Sequence, residues 1–244
     1  MLGFFRESHP MRYILCLFIT VSFLTPARAT PPESLSLMDR VIGISATQVF
    51  ILREVSDNLG LYAYGMRDIY LVAKNATSGE EEDIWPVYRV YAANTGANGI
   101  EEIKAFPLEA AVNPYDILGE RAAKYLGYGF LDLASEYAPA GGLDEDALWV
   151  EGNSLENADL MAQISQSLGF TSSAVRPYPE SGFHSRNSLT PQEMFASPEF
   201  TPDDCSFDGV MTLYRDPAPD VVLANISCLI DDRLSISLAV VVPE

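Results

Sequence analysis

Positive charge is scarce in this chain. Its 244 residues hold 15 Lys and Arg against 34 Asp and Glu, a formal net charge of −19. Lysine occurs at three positions only, Lys74, Lys104 and Lys124. A surface so short of cations repels phosphate backbones, which excludes a nucleic-acid partner. Histidine is rarer still, at His9 and His184. Cysteine occurs three times, at Cys16, Cys205 and Cys228, without a C-x-x-C or H-E-x-x-H spacing. Outside the N-terminal segment only Cys205, Cys228 and His184 remain, and two thiols with one distant imidazole cannot complete a four-ligand zinc site, so no metal and no cofactor are expected. Missing too are G-x-S-x-G, the P-loop, G-x-G-x-x-G and S-x-x-K. Each would have named a reaction class.

Long apolar runs are also lacking. The longest at the N-terminus, Tyr13 to Leu24, has twelve residues. As a helix it spans about 18 Å, too little for a hydrocarbon core of roughly 30 Å. Arg6 and Arg12 precede it, and Ala27-Arg28-Ala29 follows with small residues where a signal peptidase reads. The segment 1–29 therefore reads as an export signal cut between Ala29 and Thr30. Met11 is an alternative start. The expected location is the periplasm or the medium of a bacterium, with no membrane span once the signal is removed. Cleavage would leave 215 residues carrying 12 basic and 33 acidic side chains, a net charge of −21. Lysine-poor acidity of this kind suits a salty medium, where screening relieves self-repulsion.

In an exported chain, Cys205 and Cys228 are expected to form a disulfide. It would close a loop of 22 intervening residues, worth on the order of 3 kcal/mol in the chain-entropy model.

Apolar residues make up 48% of the chain, enough to bury a core. The expected organisation is a flexible leader over 30–39 and one domain over 40–244. Within it, Arg40 to Val55 is apolar and rich in β-branched residues, which favours strand over helix. Arg67 to Lys74 alternates, with Ile69, Leu71 and Ala73 on one face and Tyr70 and Val72 on the other. The acids Glu80 to Asp83 read as a solvated hairpin loop. Ile84 to Ala93 reads as a strand, which Pro86 places at an edge. Trp85 and Tyr91 are expected on one face of it and Tyr88 on the other.

The middle reads as helical. Asn113-Pro114 is a cap-and-proline start for a helix reaching Leu126 and stopped by Gly127. Phe130 to Tyr137 reads as another helix. A further one runs from Asn153 or Ser154 to Gly169, and Thr190-Pro191 opens a short one. At the C-terminus, Leu234 to Val242 alternates cleanly as a strand. A connection over 231–233 pairs Ile230 with Leu234, Cys228 with Ile236 and Ile226 with Leu238, keeping both apolar faces on one side. Val210 to Arg215 is the third strand of this group, and a bulge at Gly209 is needed to bring Cys205 to Cys228. Strands at both ends and helices between them give the expected class, α+β with a mainly antiparallel sheet.

One loop concentrates what the rest lacks. Residues 176–186 hold Arg176, Tyr178, His184 and Arg186 among prolines and glycine. Arginine offers forked donors, tyrosine a stacking face and histidine a group that switches near neutral pH. These four form the candidate ligand site, with a small anionic or polar ligand or a protein as partner. The alternative is a plain surface loop. Acids at Asp144 to Asp146 and at Asp203, Asp204 and Asp208 invite a calcium reading, but the EF-hand pattern is absent. The expected function is binding or interaction. The competing expectation is an exported hydrolase working through carboxylates, with His184 as a further acid or base.

Overall fold

The apolar run that starts at Arg40 folds as two strands with a tight turn between them. A computed structural model describes residues 34–58, 64–96, 99–122, 124–125, 146–150, 152–175, 191–196, 198–230 and 232–243. Strand β1 is Leu35–Ile44 and β2 is Gln48–Asp57. Between them the Ser45 hydroxyl accepts from the N–H groups of Thr47 and Gln48, at 3.3 and 3.0 Å. Such a side-chain loop fixes a turn without needing glycine. Leu35 and Leu37 are buried core residues, so the expected leader gives up residues 35–39 to β1.

The antiparallel run continues through β3 (Tyr64–Asn75), β4 (Glu81–Gly96) and β5 (Gly99–Pro107). A second run comprises β9 (Cys205–Leu213), β10 (Val221–Ile230) and β11 (Leu234–Val242). The two runs join through β1 and β11, which pair in parallel from Leu35↔Leu234 to Met38↔Ser237. The lateral order is β5-β4-β3-β2-β1-β11-β10-β9. The two-residue β6 (Lys124–Tyr125) pairs with the far end of β1. A separate hairpin is formed by β7 (Ala147–Val150) and β8 (Asn153–Glu156).

This is a mainly β fold, and it corrects the expected α+β class with a helical middle. Among the described residues the α-helices are α1 (Pro114–Arg121), α2 (Asn157–Ala174) and the six-residue α3 (Pro191–Ala196). Helix α1 opens as expected, with the Asn113 side chain accepting from the Tyr115 N–H at 3.1 Å. It stops at Arg121, well short of Leu126, because Lys124 and Tyr125 pair with Ile44 and Gly43. Residues 153–156 belong to a hairpin, so α2 starts later than expected. It also passes through Gly169, which is exposed and imposes no break. The expected helix over 130–137 lies outside the described residues.

The C-terminal register is the expected one: Ile230↔Leu234, Cys228↔Ile236 and Ile226↔Leu238. The disulfide Cys205–Cys228 is present, its cysteines directly opposite on β9 and β10. Asn225 faces Gly209 and Ile226 faces Phe207, so the bulged residue is Asp208, one place before the expected Gly209, which itself stays paired.

Both faces of the sheet are covered over part of their extent. The inner face packs Leu35, Leu37, Ile51, Tyr70 and Val72 against Leu160, Ile164 and Leu168 of α2. The outer face packs Ile42, Phe50, Leu71 and Ala73 under Leu118 of α1, with Trp85 and Val87 alongside. Pro86 sits where β4 has no β5 neighbour, since that pairing begins at Tyr88↔Pro107. It also adjoins a bulge: Ile69 faces Tyr88 while Tyr70 faces Pro86. The extra residue breaks the simple alternation expected for Trp85, Tyr88 and Tyr91.

Candidate functional site

Among the described residues two features could carry chemistry, a charge cluster under α2 and a groove beside α1. The charge cluster begins with strand alternation. Arg53 lies between Ile51 and Val55 on β2 and points to the inner face with them. Asp39 is its direct cross-strand partner on β1, and Glu81 faces Lys74 across β4 and β3. The Arg53 guanidinium forks onto both carboxylates. Nε and Nη2 donate to Asp39 at 2.7 and 2.9 Å, while Nη1 and Nη2 donate to Glu81 at 2.9 and 2.7 Å. Nη1 also donates to Thr171 Oγ1 of α2 at 2.9 Å. Lys74 Nζ lies 3.3 Å from Glu81 and 3.9 Å from Asp39, and donates to the Ala239 carbonyl at 2.8 Å. Ser167 of α2 donates to Glu81 at 2.6 Å.

All four charged side chains are at most 1% exposed. Two cations balance two anions in this sealed space, which is what makes their burial tolerable. Burial alone would raise Glu81. The charges of Arg53 and Lys74, with hydrogen bonds from Arg53 and Ser167, outweigh it and bring the carboxyl down to about 2. Burial would likewise lower Arg53, but Asp39 and Glu81 hold its guanidinium protonated above the ordinary range. Glu81 was expected in a solvated acidic loop; it is instead the first residue of β4 and buried.

A second buried pair lies farther along the sheet. Arg89 donates to both Asp68 oxygens at 2.6 and 2.7 Å, and the Tyr70 hydroxyl donates to Asp68 at 3.2 Å. Glu82, by contrast, is exposed. Hydrogen bonds from Gln48 and Asn75 lower its carboxyl, against a small opposing effect of burial. A general acid needs a carboxyl pushed up toward neutral pH. Both shifted carboxyls among the described residues, Glu81 and Glu82, move the other way.

The groove lies on the outer face. The pairings set one lateral row in register: Ser206, Ser227, Ser237, Met38, Glu54, Ile69, Tyr88. Helix α1 crosses near the Tyr88 end of this row. Its C-terminal end is held by Arg121, which sits 5.0 Å over the Trp85 ring and bonds Asp83 at 3.0 Å. The chain leading into it is held by the Val112 N–H, which donates to the Pro86 carbonyl at 2.9 Å. Between the first turn of α1 and strands β1 to β4 a groove of about 520 Å³ remains. Its floor is Ile42, Leu52, Ile69, Val87 and Leu118; Arg40 and Glu54 supply its charge. Met38, Tyr88 and Tyr115 stand at its rim, 52%, 40% and 68% exposed. Exposed aromatic and thioether side chains around an apolar floor are typical of a ligand groove.

A second depression, about 580 Å³, covers the serine half of the row and meets the groove at Met38. Asp208 accepts there from Ser206 at 3.3 Å and from Ser227. Asp204 caps its own short helical turn, accepting from Thr201 N–H and Oγ1 at 2.7 and 2.9 Å. No three His, Cys, Asp or Glu side chains among the described residues gather as a metal site. No helix there is long and apolar enough to cross a membrane.

Arg176, Tyr178, His184 and Arg186 lie outside the described residues, as do Ala29, Thr30 and the start of the acidic stretch at Asp144. The described ends around 176–190 are tied together: Gln192 donates to the Val175 carbonyl at 2.7 Å and Ser172 to the Gln192 carbonyl at 3.0 Å. Sequence reasoning did not single out Met38, Arg40 or Tyr115. What brings them together is the in-register row and the seat of α1, and neither has a local sequence signal. Comparison with known protein families, with curated proteins and with solved structures finds no match.

Proposed function

We propose that this chain is an exported bacterial binding protein, periplasmic or secreted, whose ligand lies in the outer-face groove beside α1. The observation that carries the reading is an apolar floor left open between the first turn of α1 and strands β1 to β4. Met38, Tyr88 and Tyr115 remain solvent-exposed around it, so a ligand covering their apolar surface would gain about 25 cal/mol per Å² removed from water. The groove volume falls in the small-molecule range of roughly 300–1,000 Å³. Export is supported by the Ala27-Arg28-Ala29 signal pattern and by the disulfide, which persists in oxidising compartments.

The neutral fluorescent probe N-phenyl-1-naphthylamine tests the groove. It should bind the protein with enhanced emission, and the double variant Tyr88→Ser, Tyr115→Ser should weaken it at least tenfold. Both residues are exposed, so the fold should survive. Arg176→Ala with Arg186→Ala is the competing test. Loss of binding in that variant, with the tyrosine variant unaffected, would move the site to the loop and overturn the groove.

A further inference from the structure

We infer that the groove and the serine depression form one bipartite site for a small neutral amphiphile, an apolar chain or ring bearing a polyhydroxylated head. The inference rests on the groove reading above and adds the ligand's chemical class. The two hollows share Met38 as a wall residue. Met38 is also the middle of the lateral row, three strands from Ser206 and three from Tyr88. With strands about 4.8 Å apart, each half spans about 14 Å, so one small molecule can reach across the junction. Of the charged residues lining the groove, Glu54 is matched by Arg67 Nε at 2.9 Å, and Arg40 is itself engaged within the protein. The groove therefore supplies apolar contact, and polar recognition falls to the serine half.

The hydroxyls of that half divide into two kinds. Ser206 and Ser227 donate to Asp208, and Ser237 donates to Asn225 Oδ1 at 3.1 Å. Their protons are committed, so these oxygens face a ligand as acceptors. Ser36 and Ser235 face each other across β1 and β11, and neither side chain has a hydrogen-bond partner among the described residues. These two hydroxyls offer a proton as well as lone pairs. The charged side chains lining the depression are Asp203 and Asp204, which repel an anionic head. An ammonium head would use the acceptors and leave the protons of Ser36 and Ser235 unmatched. A head of several hydroxyls uses both kinds, while its apolar part lies over Ile69 and Leu52 between Tyr88 and Tyr115.

The test is a set of eight-carbon probes that differ in the head: octyl glucoside, 1-octanol, octyltrimethylammonium and octanoate. Each is titrated calorimetrically into the full chain at pH 7, below its micellar concentration. Octyl glucoside should bind at least tenfold more tightly than octanol and more tightly than either charged probe. Ser36→Ala with Ser235→Ala should weaken octyl glucoside at least fivefold and octanol less than twofold. Neither hydroxyl holds another described side chain, so the fold should survive. Equal binding of glucoside and octanol, tightest binding of a charged probe, or a glucoside preference untouched by the serine variant overturns the inference. In each case octanol binding that is lost in Tyr88→Ser, Tyr115→Ser would leave the groove itself standing. Binding of none of the four, nor of N-phenyl-1-naphthylamine, overturns both.

Discussion

The side-chain amide of Gln163 takes the place of a neighbouring strand for Val241. Its Nε2 donates to the Val241 carbonyl at 3.0 Å and its Oε1 accepts from the Val241 N–H at 3.2 Å. The need arises because β1 leaves β11 after the Met38↔Ser237 pair, while β11 runs on to Val242. Beyond that point Lys74 serves the Ala239 carbonyl and Gln163 serves Val241. Backbone groups left unpaired in such a place cost about 1–3 kcal/mol each. Gln163→Ala should therefore destabilise the protein by about 2 kcal/mol in urea unfolding.

Gly79 is the neighbour that makes this amide possible. Its φ is +75°, and a Cβ there would stand 2.3 Å from Gln163 Oε1. The amide cannot swing aside without giving up Val241. Gly79→Ala should cost about 2 kcal/mol or more, adding backbone strain to the clash. In the double variant with Gln163→Ala the clash is gone, so the two losses should sum to more than the measured total. Strict additivity in urea melts would contradict the contact.

Removing Arg53 should be among the most damaging substitutions in the chain. Arg53→Met leaves Asp39 and Glu81 facing Lys74 alone in a sealed space. An uncompensated buried charge of this kind costs about 3–5 kcal/mol. Arg67→Met, which breaks an exposed pair with Glu54, should cost under about 1 kcal/mol. Comparing the two by chemical unfolding separates the buried network from surface charge.

Acid should unlock the same network. The Glu81 carboxyl is depressed to about 2 from an ordinary value of 4.5. Between those values the unfolded chain binds a proton that the folded chain does not, so stability rises with pH there. Its contribution is complete above about pH 4.5 and is lost as pH falls through about 2, on the order of 3 kcal/mol in all. In Glu81→Gln the slope of stability against pH in this window should shrink by about one proton. Urea melts from pH 2.5 to 6 read it directly, and an unchanged slope would refute the assignment.

Reduction of Cys205–Cys228 should lower stability by about 3 kcal/mol. Cys205→Ser with Cys228→Ser should match the reduced protein, and a thermal melt with and without reductant measures it. Groove binding should persist at temperatures where both forms remain folded, since neither cysteine lines it.

Some of this was legible in the sequence because the deciding contacts are local. The β10–β11 register follows from putting Ile230 and Leu234 on one face, and the start of α1 follows from Asn113-Pro114. Other parts depend on what covers a strand. Phe50, Ile51 and Leu52 show no alternation because both faces of β2 are packed. Glu81 looks like any residue of an acidic run until Arg53 and Lys74 are brought against it. The orientation of Tyr88 is set by the bulge beside Pro86. The helical middle was overestimated because residues 153–156 and 124–125 carry apolar positions that suit a helix equally well, and their strand partners are distant. The groove rim was invisible for the same reason, since Met38 and Tyr88 are fifty residues apart and meet only through three strand pairings.

The parallel contact of β1 with β11 has a temporal meaning. Leu35 waits for Leu234, a partner 199 residues later in the chain. Contacts of such separation come late and slowly. A chain emerging N-terminus first holds the 35–38 stretch of its first strand open on one edge until residues 234–237 are out, so the two halves of the sheet join only then. The row that crosses Ser237 and Met38 is cut in two until then. The sheet face on which the groove lies becomes continuous only as the last strand is placed.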